Sequence, residues 1–375
     1  MKITYAKAIY DDREKKAVLD VFESGWFSGG KYTTEFEEKL AKWWGVKYAL
    51  AVNSGSSANF IAIQSLNLDK NLEVITPALA FPTTISSIIY HNLVPVYCES
   101  DDNLLIDLDS LEDLITSRTR ALVFAHTLGN VVNMDEVMAF VEKYNLKLIE
   151  DCCDAVGSKW KGQKVGTFGD LATVSFYPAH HITTFGEGGA ILTNNYKLYR
   201  ECKSIRDWGR DCTCKYDESG CTTRFSNPPF DHKYYYTRLG MNLKMTEAQA
   251  SFGIVQLDRL DDFIEKRKKN YDYLRKRINL RVVEKHSEAD VSWFSLPIIS
   301  DKPKEIMTSY LESQGIQTRA IFAGNITKHP AYRNKGKIRI SLENTDKIMN
   351  NGFFVGLHPD LKRKELDYII KKLNL

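Results

Sequence analysis

The segment Ser175-Phe-Tyr-Pro-Ala-His180-His181-Ile-Thr-Thr-Phe-Gly186-Glu-Gly188-Gly189 lies between two apolar runs, residues 172–176 and 189–193. Both runs have the length and composition of buried β-strands. Between them, a Ser is followed five positions later by a His and then by a Gly-rich turn. These residues can hold a phosphate and move a proton near neutral pH. The segment therefore predicts two strands joined by a loop whose residues bind a phosphate and transfer a proton.

Similar apolar runs precede this segment and alternate with helical patterns. They lack the polar–apolar alternation of half-exposed strands, which favours a mostly parallel sheet with helices on both faces. Ligands of such α/β sheets bind beyond the strand ends, where the motifs below fall. The seven predicted strands cover residues 48–52, 73–76, 94–98, 121–125, 146–150, 172–176 and 189–192.

The length of 375 residues indicates one large and one smaller domain. We predict a large domain over residues 1–250, with a Cys-rich insert at about 211–231, and a C-terminal α/β domain over 251–375. Upstream, helices are predicted at 11–24 and 33–44. Thr246-Glu-Ala-Gln249 has the pattern of a capping box and predicts a long helix reaching Leu274.

The composition, with 43% hydrophobic and 26% charged residues, is ordinary for a globular protein. A net charge of +3 gives no nucleic-acid signature, and residues 265–269 are predicted to form a solvated helix face. The sequence has no apolar run of about 18 residues and no signal-like start, so we expect a cytoplasmic protein without a membrane span. In that compartment the seven cysteines are expected to be free, catalytic or metal-binding.

The loop Asn53-Ser-Gly-Ser-Ser-Ala-Asn59 follows one predicted strand and opens a helix. Small residues at a helix N-terminus let backbone N–H groups approach a phosphate, which makes Gly55, Ser56 and Ser57 candidate ligands. An ordinary N-cap loop has the same composition, so the loop alone is a weak signal. Ser175 strengthens it through the resemblance that follows.

These motifs resemble the DegT/DnrJ/EryC1/StrS sugar aminotransferases, which implies the pyridoxal-phosphate aspartate-aminotransferase fold. In most of that family the position of His180 is a Lys that binds the cofactor covalently. A His cannot form that stable link but can transfer a proton, which shifts the expected reaction from amino transfer to dehydration. His180 is therefore the predicted catalytic base.

The resemblance also assigns the cofactor site. Asp151 matches the carboxylate that pairs with the pyridine nitrogen, Phe81 the aromatic that stacks on the ring, and Ser175 a phosphate ligand. Asn242 matches a residue that reaches the phosphate from the neighbouring subunit, which implies a homodimer with shared active sites. Read without the family, Asp151 is a helix cap and Phe81 a core residue.

Four further segments narrow the resemblance to the CDP-4-keto-6-deoxyglucose 3-dehydrase type, which uses pyridoxamine phosphate and a 2Fe–2S cluster. Asp154 stands where ordinary aminotransferase relatives have His or Gln, and Tyr177 also matches the dehydrase. Both are counted with the cofactor residues. The segments are Tyr177-Pro-Ala-His-His-Ile-Thr183, Arg206-Asp-Trp-Gly-Arg-Asp211, Asp231-His-Lys233 and Asn344-Thr-Asp-Lys-Ile-Met-Asn350.

The cysteines resemble the ligands of that cluster. Cys212, Cys214 and Cys221 match its clustered thiolates, and Cys153 matches the distant fourth ligand. The loop between Cys214 and Cys221 is one residue shorter than in the dehydrase type. Four thiolates suit a 2Fe–2S centre, but a structural zinc site fits the same ligands, and unligated cysteines remain an alternative.

The resemblance implies loss of the C3 hydroxyl from a nucleotide-linked 4-keto-6-deoxyhexose, with CDP as the expected nucleotide, in the synthesis of 3,6-dideoxyhexoses of the lipopolysaccharide O-antigen. A separate flavin and iron–sulfur reductase would supply electrons through the cluster. Guanidinium and ammonium groups suit a diphosphate. The candidates for that contact are Arg206, Arg210, Lys233 and Arg319.

Three alternatives remain open at the level of sequence. One is a cluster-free GDP-4-keto-6-deoxymannose 3-dehydratase that recycles pyridoxamine phosphate with glutamate. A second is an ordinary aminotransferase, which the absence of Lys at position 180 disfavours. A third is a non-catalytic relative that binds a nucleotide sugar.

Overall fold

A central sheet organises the part of the chain that this computed structural model describes, residues 1–212, 214 and 229–374. Within it the spatial strand order is β1-β9-β8-β5-β4-β2-β3-β13, and every neighbouring pair is parallel except the two that involve β9. The strands are β1 (Tyr48–Val52), β2 (Glu73–Pro77), β3 (Val94–Cys98), β4 (Thr119–Ala125), β5 (Lys147–Asp151), β8 (Leu171–Ser175), β9 (Gly189–Thr193) and β13 (Lys337–Ile338).

Two smaller sheets and the helices complete the described fold. One small sheet has the order β10-β6-β7 and the other β11-β14-β12. Their strands are β6 (Lys159–Trp160), β7 (Gln163–Lys164), β10 (Ala289–Asp290), β11 (Ser295–Ile299), β12 (Thr318–Ala320) and β14 (Gly352–Gly356). The helices are α1 (Asp12–Ser24), α2 (Lys31–Trp44), α3 (Gly55–Ser65), α4 (Pro82–Tyr90), α5 (Met134–Lys143), α6 (Tyr196–Arg206), α7 (Glu247–Asp258), α8 (Leu260–Arg275), α9 (Lys304–Ser313), α10 (Glu343–Asn351) and α11 (Arg363–Leu373).

The central sheet is buried on both faces, as predicted. Leu122 and Phe124 of β4 belong to the larger hydrophobic cluster on one face, whereas Val123, between them, belongs to a second cluster on the other. Successive side chains of a strand point to opposite faces, so apolar residues at consecutive positions require cover on both sides. This explains why the strands read as continuous apolar runs.

All seven predicted strands are present, and the structure adds β13 as an edge strand beside β3. β13 comprises two exposed residues, Lys337 and Ile338, and its pairing depends on a contact distant in sequence, so no local pattern announces it. The proposed division of the chain near residue 250 stays a prediction.

The helices differ from prediction in two respects. The capping box at Thr246 is confirmed, but the long helix is divided at Arg259 into α7 and α8. Arg267, in the segment predicted to be a solvated face, is 2% exposed and was therefore misassigned; Lys266 and Lys269, beside it, are exposed. Among the described helices, none combines the length and apolar composition needed to cross a bilayer.

Glu247 closes the N-terminus of α2. Its carboxylate accepts hydrogen bonds from the backbone N–H groups of Gly30, Tyr32 and Thr33 at 2.8–2.9 Å. A buried carboxylate satisfies the unpaired N–H groups of a helix start and complements the helix dipole. Because Glu247 is the first residue of α7, its carboxylate links the start of α7 to the start of α2.

Candidate active site

The predicted phosphate loop and Ser175 come together at the ends of β1 and β8. Ser54 caps α3, with its Oγ accepting from the N–H of Ser57 at 3.1 Å. A Cβ added to Gly55 would lie 2.7 Å from Ser175 Cβ and 3.2 Å from Cys153 Sγ, so this position requires glycine. Ser56 is exposed and donates to Thr83 Oγ1 at 3.2 Å. The arrangement is an open helix N-terminus of the kind that binds a phosphate.

The carboxylate of Asp151 lies at the end of β5 and is 4% exposed. Its Oδ2 accepts from Asn59 Nδ2 and Thr84 Oγ1, both at 2.9 Å, and its Oδ1 accepts from the N–H of Cys153 at 3.2 Å. Asn59 is itself fixed by a 2.6 Å hydrogen bond from Thr173 Oγ1. These contacts hold the carboxylate in one orientation, as a partner for a protonated pyridine nitrogen requires.

His180 lies between two hydrogen-bond acceptors. Its Nε2 is 3.3 Å from Asp154 Oδ1, and its Nδ1 is 3.1 Å from the carbonyl oxygen of Tyr177. A neutral imidazole has one N–H, so only the protonated ring donates at both positions. The sequence placed Asp154 among the cofactor residues, but the structure places it against the imidazole.

The two predicted aromatic residues are accessible. Phe81 is 50% exposed and lies at the N-terminus of α4, with its ring centroid 6.4 Å from that of Phe322. Tyr177 is 45% exposed, and its N–H donates to Ser175 Oγ at 3.3 Å. Both side chains are therefore free to contact a ligand near the phosphate loop.

The residues present fit a pyridoxal-type cofactor. The first turn of α3 offers backbone N–H groups beside Ser175, Asp151 offers an oriented carboxylate, and Phe81 offers an exposed ring face. A Cβ at Gly55 would collide with Ser175, so glycine is what lets the N-terminus of α3 lie against that serine, and this brings the helix N–H groups and the hydroxyl to one place for a phosphate.

Of the predicted diphosphate ligands, Arg206 is engaged elsewhere. Its guanidinium is buried, with Nε 3.0 Å from Asp207 Oδ1 and Nη1 2.8 Å from Glu37 Oε1 and 3.0 Å from the Ala51 carbonyl oxygen. These contacts make Arg206 a structural ion-pair residue rather than an available diphosphate ligand.

The other three cations are more accessible. Lys233 is exposed in a 3₁₀ turn, and Arg319 is exposed with its guanidinium 4.1 Å from the centre of the Tyr5 ring. The guanidinium of Arg210 lies 5.1 Å from the Trp208 ring centre, and its Nε has no hydrogen-bond partner among the described residues. Their substrate contacts stay predictions.

Sequence reasoning missed Lys244, whose Nζ lies 3.4 Å from the centre of the Trp208 ring. Burial lowers the pKa of its ammonium group. Trp208 itself has a left-handed backbone, with φ of 64°. Lys244 and Arg210 thus both contact one indole ring. Arg210 belongs to the segment Arg206-Asp-Trp-Gly-Arg-Asp211, whereas Lys244 lies two residues after Asn242, and no local pattern marked it.

The predicted cysteine ligand set is only partly assembled. The ligand atoms of Cys212, Cys214 and His232 lie within 4.8 Å of one another, with Cys214 Sγ 3.1 Å from His232 Nε2. Cys153 is not a member of this group in the described structure but lies beside Gly55 at the phosphate loop. Burial raises the pKa of its thiol well above the ordinary value. Cys221 lies outside the described residues.

The predicted subunit contact Asn242 is exposed and forms a backbone bridge with Asp207. Its side chain is therefore available on the surface beside Trp208, although the contribution to a neighbouring subunit stays a prediction.

Comparison with known proteins agrees with this geometry. The sequence profile of the DegT/DnrJ/EryC1/StrS aminotransferase family matches residues 8–374. The chain belongs to this family. The fold is accordingly that of pyridoxal-phosphate-dependent aminotransferases, and the protein is an enzyme of that class.

Several members of the family are similar to the chain. The lipopolysaccharide biosynthesis protein RfbH of Salmonella typhimurium is 41% identical, over 96% of this chain and 88% of its own length. The dTDP-4-dehydro-2,6-dideoxy-D-glucose 3-dehydratase of Saccharopolyspora spinosa is 38% identical, over 98% of this chain and 84% of its own length. The GDP-4-keto-6-deoxy-D-mannose 3-dehydratase of Escherichia coli O55:H7 is 32% identical, over 97% of both chains.

A solved structure of GDP-4-keto-6-deoxymannose-3-dehydratase with a trapped PLP–glutamate geminal diamine superimposes with a TM-score of 0.90. It is 30% identical and covers 99% of this chain and 100% of its own. The GDP-type relative and this solved structure favour the GDP-type, glutamate-recycling alternative over the expectation of a 2Fe–2S cluster and a reductase, for neither of which the comparisons offer support.

Proposed function

We propose that this enzyme uses pyridoxamine phosphate to remove the C3 hydroxyl from a nucleotide-linked 4-keto-6-deoxyhexose. The observation that carries the proposal is the pairing of His180 with Asp154, three residues beyond Asp151. An imidazole in place of the lysine leaves the family scaffold with a proton-transfer group and no covalent anchor. Three relatives or solved structures whose names include 3-dehydratase support the same reaction class.

When bound, pyridoxamine phosphate supplies an amine that reacts with the C4 ketone and a ring that accepts electrons. The first turn of α3 and Ser175 would hold its phosphate, and Phe81 would cover one face of its ring. Asp151, fixed by Asn59 and Thr84, would keep the pyridine nitrogen protonated. Each of these groups orients the cofactor without bonding to it covalently.

His180 would take a proton from the C4′ carbon of the cofactor and deliver one to the departing hydroxyl. Asp154 would stabilise the imidazolium between these events, since an ionised partner strengthens the hydrogen bond. The ring accepts the proton at a nitrogen that carries no hydrogen, and that nitrogen must be able to face the cofactor. We expect the longer of the two contacts, from Nε2 to Asp154 at 3.3 Å, to open for this step.

Glutamate is the proposed source of the two electrons. For each C3 hydroxyl lost, one glutamate becomes 2-oxoglutarate and ammonia. The overall reaction therefore balances in atoms and electrons without an external reductant. The trapped PLP–glutamate adduct of the solved relative supports this route. The nucleotide stays open, because the relatives' names include both dTDP and GDP.

A second candidate retains the predicted cluster and reductase. The observation that favours it is the group formed by Cys212, Cys214 and His232. Two thiolates and an imidazole are suitable ligands for iron or zinc, but a cluster needs a fourth ligand. Metal analysis of anaerobically purified protein separates the two: two irons and two sulfides per chain would indicate the second candidate.

The direct test is incubation of the enzyme and pyridoxamine phosphate with the CDP-, dTDP- and GDP-linked 4-keto-6-deoxyhexoses, each with and without glutamate. Mass spectrometry would follow the loss of oxygen from the sugar, and an enzymatic assay would follow 2-oxoglutarate. We expect equal amounts of deoxysugar and 2-oxoglutarate with one nucleotide. An amino sugar as the only product would indicate an aminotransferase instead.

A further inference from the structure

Arg267 is a buried cation that neither the sequence motifs nor the proposed reaction uses. It lies on α8 and is 2% exposed. Within the described residues its hydrogen bonds go to main-chain carbonyls: Nη1 donates to Phe294 at 2.6 Å, and Nη2 donates to His180 at 3.0 Å and Ala179 at 3.5 Å. A guanidinium with five fixed donors is suited to joining several acceptors at once.

These carbonyls belong to the two segments that enclose the His180 imidazole. One segment is the turn that carries His180 itself. The other carries Phe294, whose ring centroid lies 5.3 Å from that of the imidazole at an interplanar angle of 61°. One guanidinium therefore binds both the backbone of the base and the backbone of the residue whose ring packs on it.

The charge of Arg267 also acts on the site. Burial lowers the pKa of Arg267 to about 10, although the negative charge of Asp154 opposes this effect. The Oδ2 of Asp154 and the Nε of Arg267 are both buried and have no hydrogen-bond partner among the described residues. The Arg267 guanidinium and the Asp154 carboxylate thus interact electrostatically on the buried side of the His180 turn.

The same charge distinguishes the two adjacent histidines. Burial and the Arg267 guanidinium lower the pKa of His181 well below its ordinary value, and its Nε2 lies 3.0 Å from the Ser292 carbonyl oxygen. His181 is thereby kept neutral. Proton transfer is left to His180, the member of the pair that faces a carboxylate.

We propose that Arg267 is a positioning residue for His180, fixing the backbone of the His180 turn and the backbone of Phe294 on either side of the imidazole. The effect of Arg267 on turnover rests on the proposed function, whereas its effect on the position and reactivity of the imidazole does not.

The test compares Arg267→Met and Arg267→Lys with the control Arg259→Met. Arg259 lies at the junction of α7 and α8 and forms a 2.6 Å ion pair with Glu14, away from His180. The first readout is the rate at which diethyl pyrocarbonate modifies His180, measured by peptide mass spectrometry. The others are the melting temperature and, with the active nucleotide sugar, kcat and KM.

We expect His180 to react several-fold faster in Arg267→Met than in wild type, because the ring is no longer fixed against its acceptors. kcat should fall about tenfold or more with KM changed less than about threefold, since misplacing a proton-transfer group affects the chemical step. Arg267→Lys, which keeps the charge, should recover part of the protection of His180 and part of kcat. Arg259→Met should match wild type in the reactivity of His180 and in kcat.

Equal His180 reactivity in Arg267→Met and Arg259→Met, with an activity loss explained by the unfolded fraction alone, would overturn the proposal. If Arg267→Met is not recovered folded, Arg267→Lys gives the same comparison and should lie between wild type and the expected loss. A wild-type enzyme inactive on every nucleotide sugar would reject the proposed function, whereas the His180 reactivity would still decide the present question.

Discussion

His180 Nε2 lies 3.3 Å from Asp154 Oδ1, and the opposite nitrogen of the same ring lies 3.1 Å from the Tyr177 carbonyl oxygen. Both ring nitrogens therefore face oxygen atoms, and a neutral imidazole, which has one N–H, can donate to only one of them. A carboxylate beside the ring is placed to interact with the positive charge that develops on an imidazole during proton abstraction.

Replacing His180 tests the base directly. His180→Asn should lower kcat by about 10²–10⁴-fold, the usual contribution of a positioned acid–base group, while cofactor affinity changes little. His180→Lys should restore a covalent cofactor link, detected as a borohydride-fixed mass increase on the peptide that contains residue 180. Unaltered turnover in His180→Asn would exclude the imidazole as the base.

Asp154→Asn should lower kcat by about 10- to 100-fold, because a hydrogen bond to a charged group contributes about 1.5–3 kcal/mol. Steady-state kinetics at saturating cofactor would measure the change. Asp135→Asn is the matched control, since Asp135 pairs with Lys161 on the surface and should be neutral for activity. Equal kinetics for the two variants would show that Asp154 does not act on His180.

Gly55→Ala should weaken binding of pyridoxal phosphate. The added methyl group would lie 2.7 Å from Ser175 Cβ, so the first turn of α3 must move away from the phosphate position. At a fixed ligand concentration, a ligand that binds more tightly raises the unfolding temperature more, because the stabilisation grows with the logarithm of the concentration divided by Kd. Differential scanning fluorimetry with and without cofactor should therefore show a smaller cofactor-induced increase in the variant.

Ser313→Ala provides the control, since it removes one exposed hydrogen bond, to the Tyr310 carbonyl oxygen on α9, and leaves the phosphate loop unchanged. A cofactor-induced shift in Gly55→Ala as large as that of the wild type would place the phosphate elsewhere.

Glu247→Ala should destabilise the protein by about 3 kcal/mol or more, because it leaves several buried N–H groups at the start of α2 without an acceptor. Urea unfolding followed by fluorescence would report the lower midpoint. Glu265→Ala, on the exposed face of α8, should leave the midpoint unchanged. An unaltered midpoint in Glu247→Ala would show that the α2 cap is dispensable.

His358 should make stability depend on pH. Burial lowers the pKa of His358 to about 4, whereas an unfolded His titrates near 6.5. Because the unfolded state then binds more protons, this contribution is complete above about pH 6.5 and is lost as the pH falls toward 4, by roughly 3 kcal/mol in total. His358→Phe should flatten the melting temperature across this window relative to wild type. Parallel curves would exclude His358 as a titrating group.

The sequence determined the fold class, the seven long strands of the main sheet and the loop at Gly55. These features follow from local patterns: continuous apolar runs for doubly covered strands, and small residues at a helix start. The family resemblance added residue assignments that no pattern carries, including Asp151 as the pyridine partner. The strand β13 was missed because two exposed residues have no local signature.

Contacts between distant segments were decided by the tertiary structure alone. Asp154 against the imidazole of His180, Arg267 beneath the same turn, and Arg206 in a buried ion pair all depend on which side chains the fold brings within hydrogen-bond distance. A charged residue has the same sequence signature on a solvated face as in a buried ion pair. Only packing, which removes water and fixes the partner, distinguishes an exposed lysine of α8 from the arginine that holds the base.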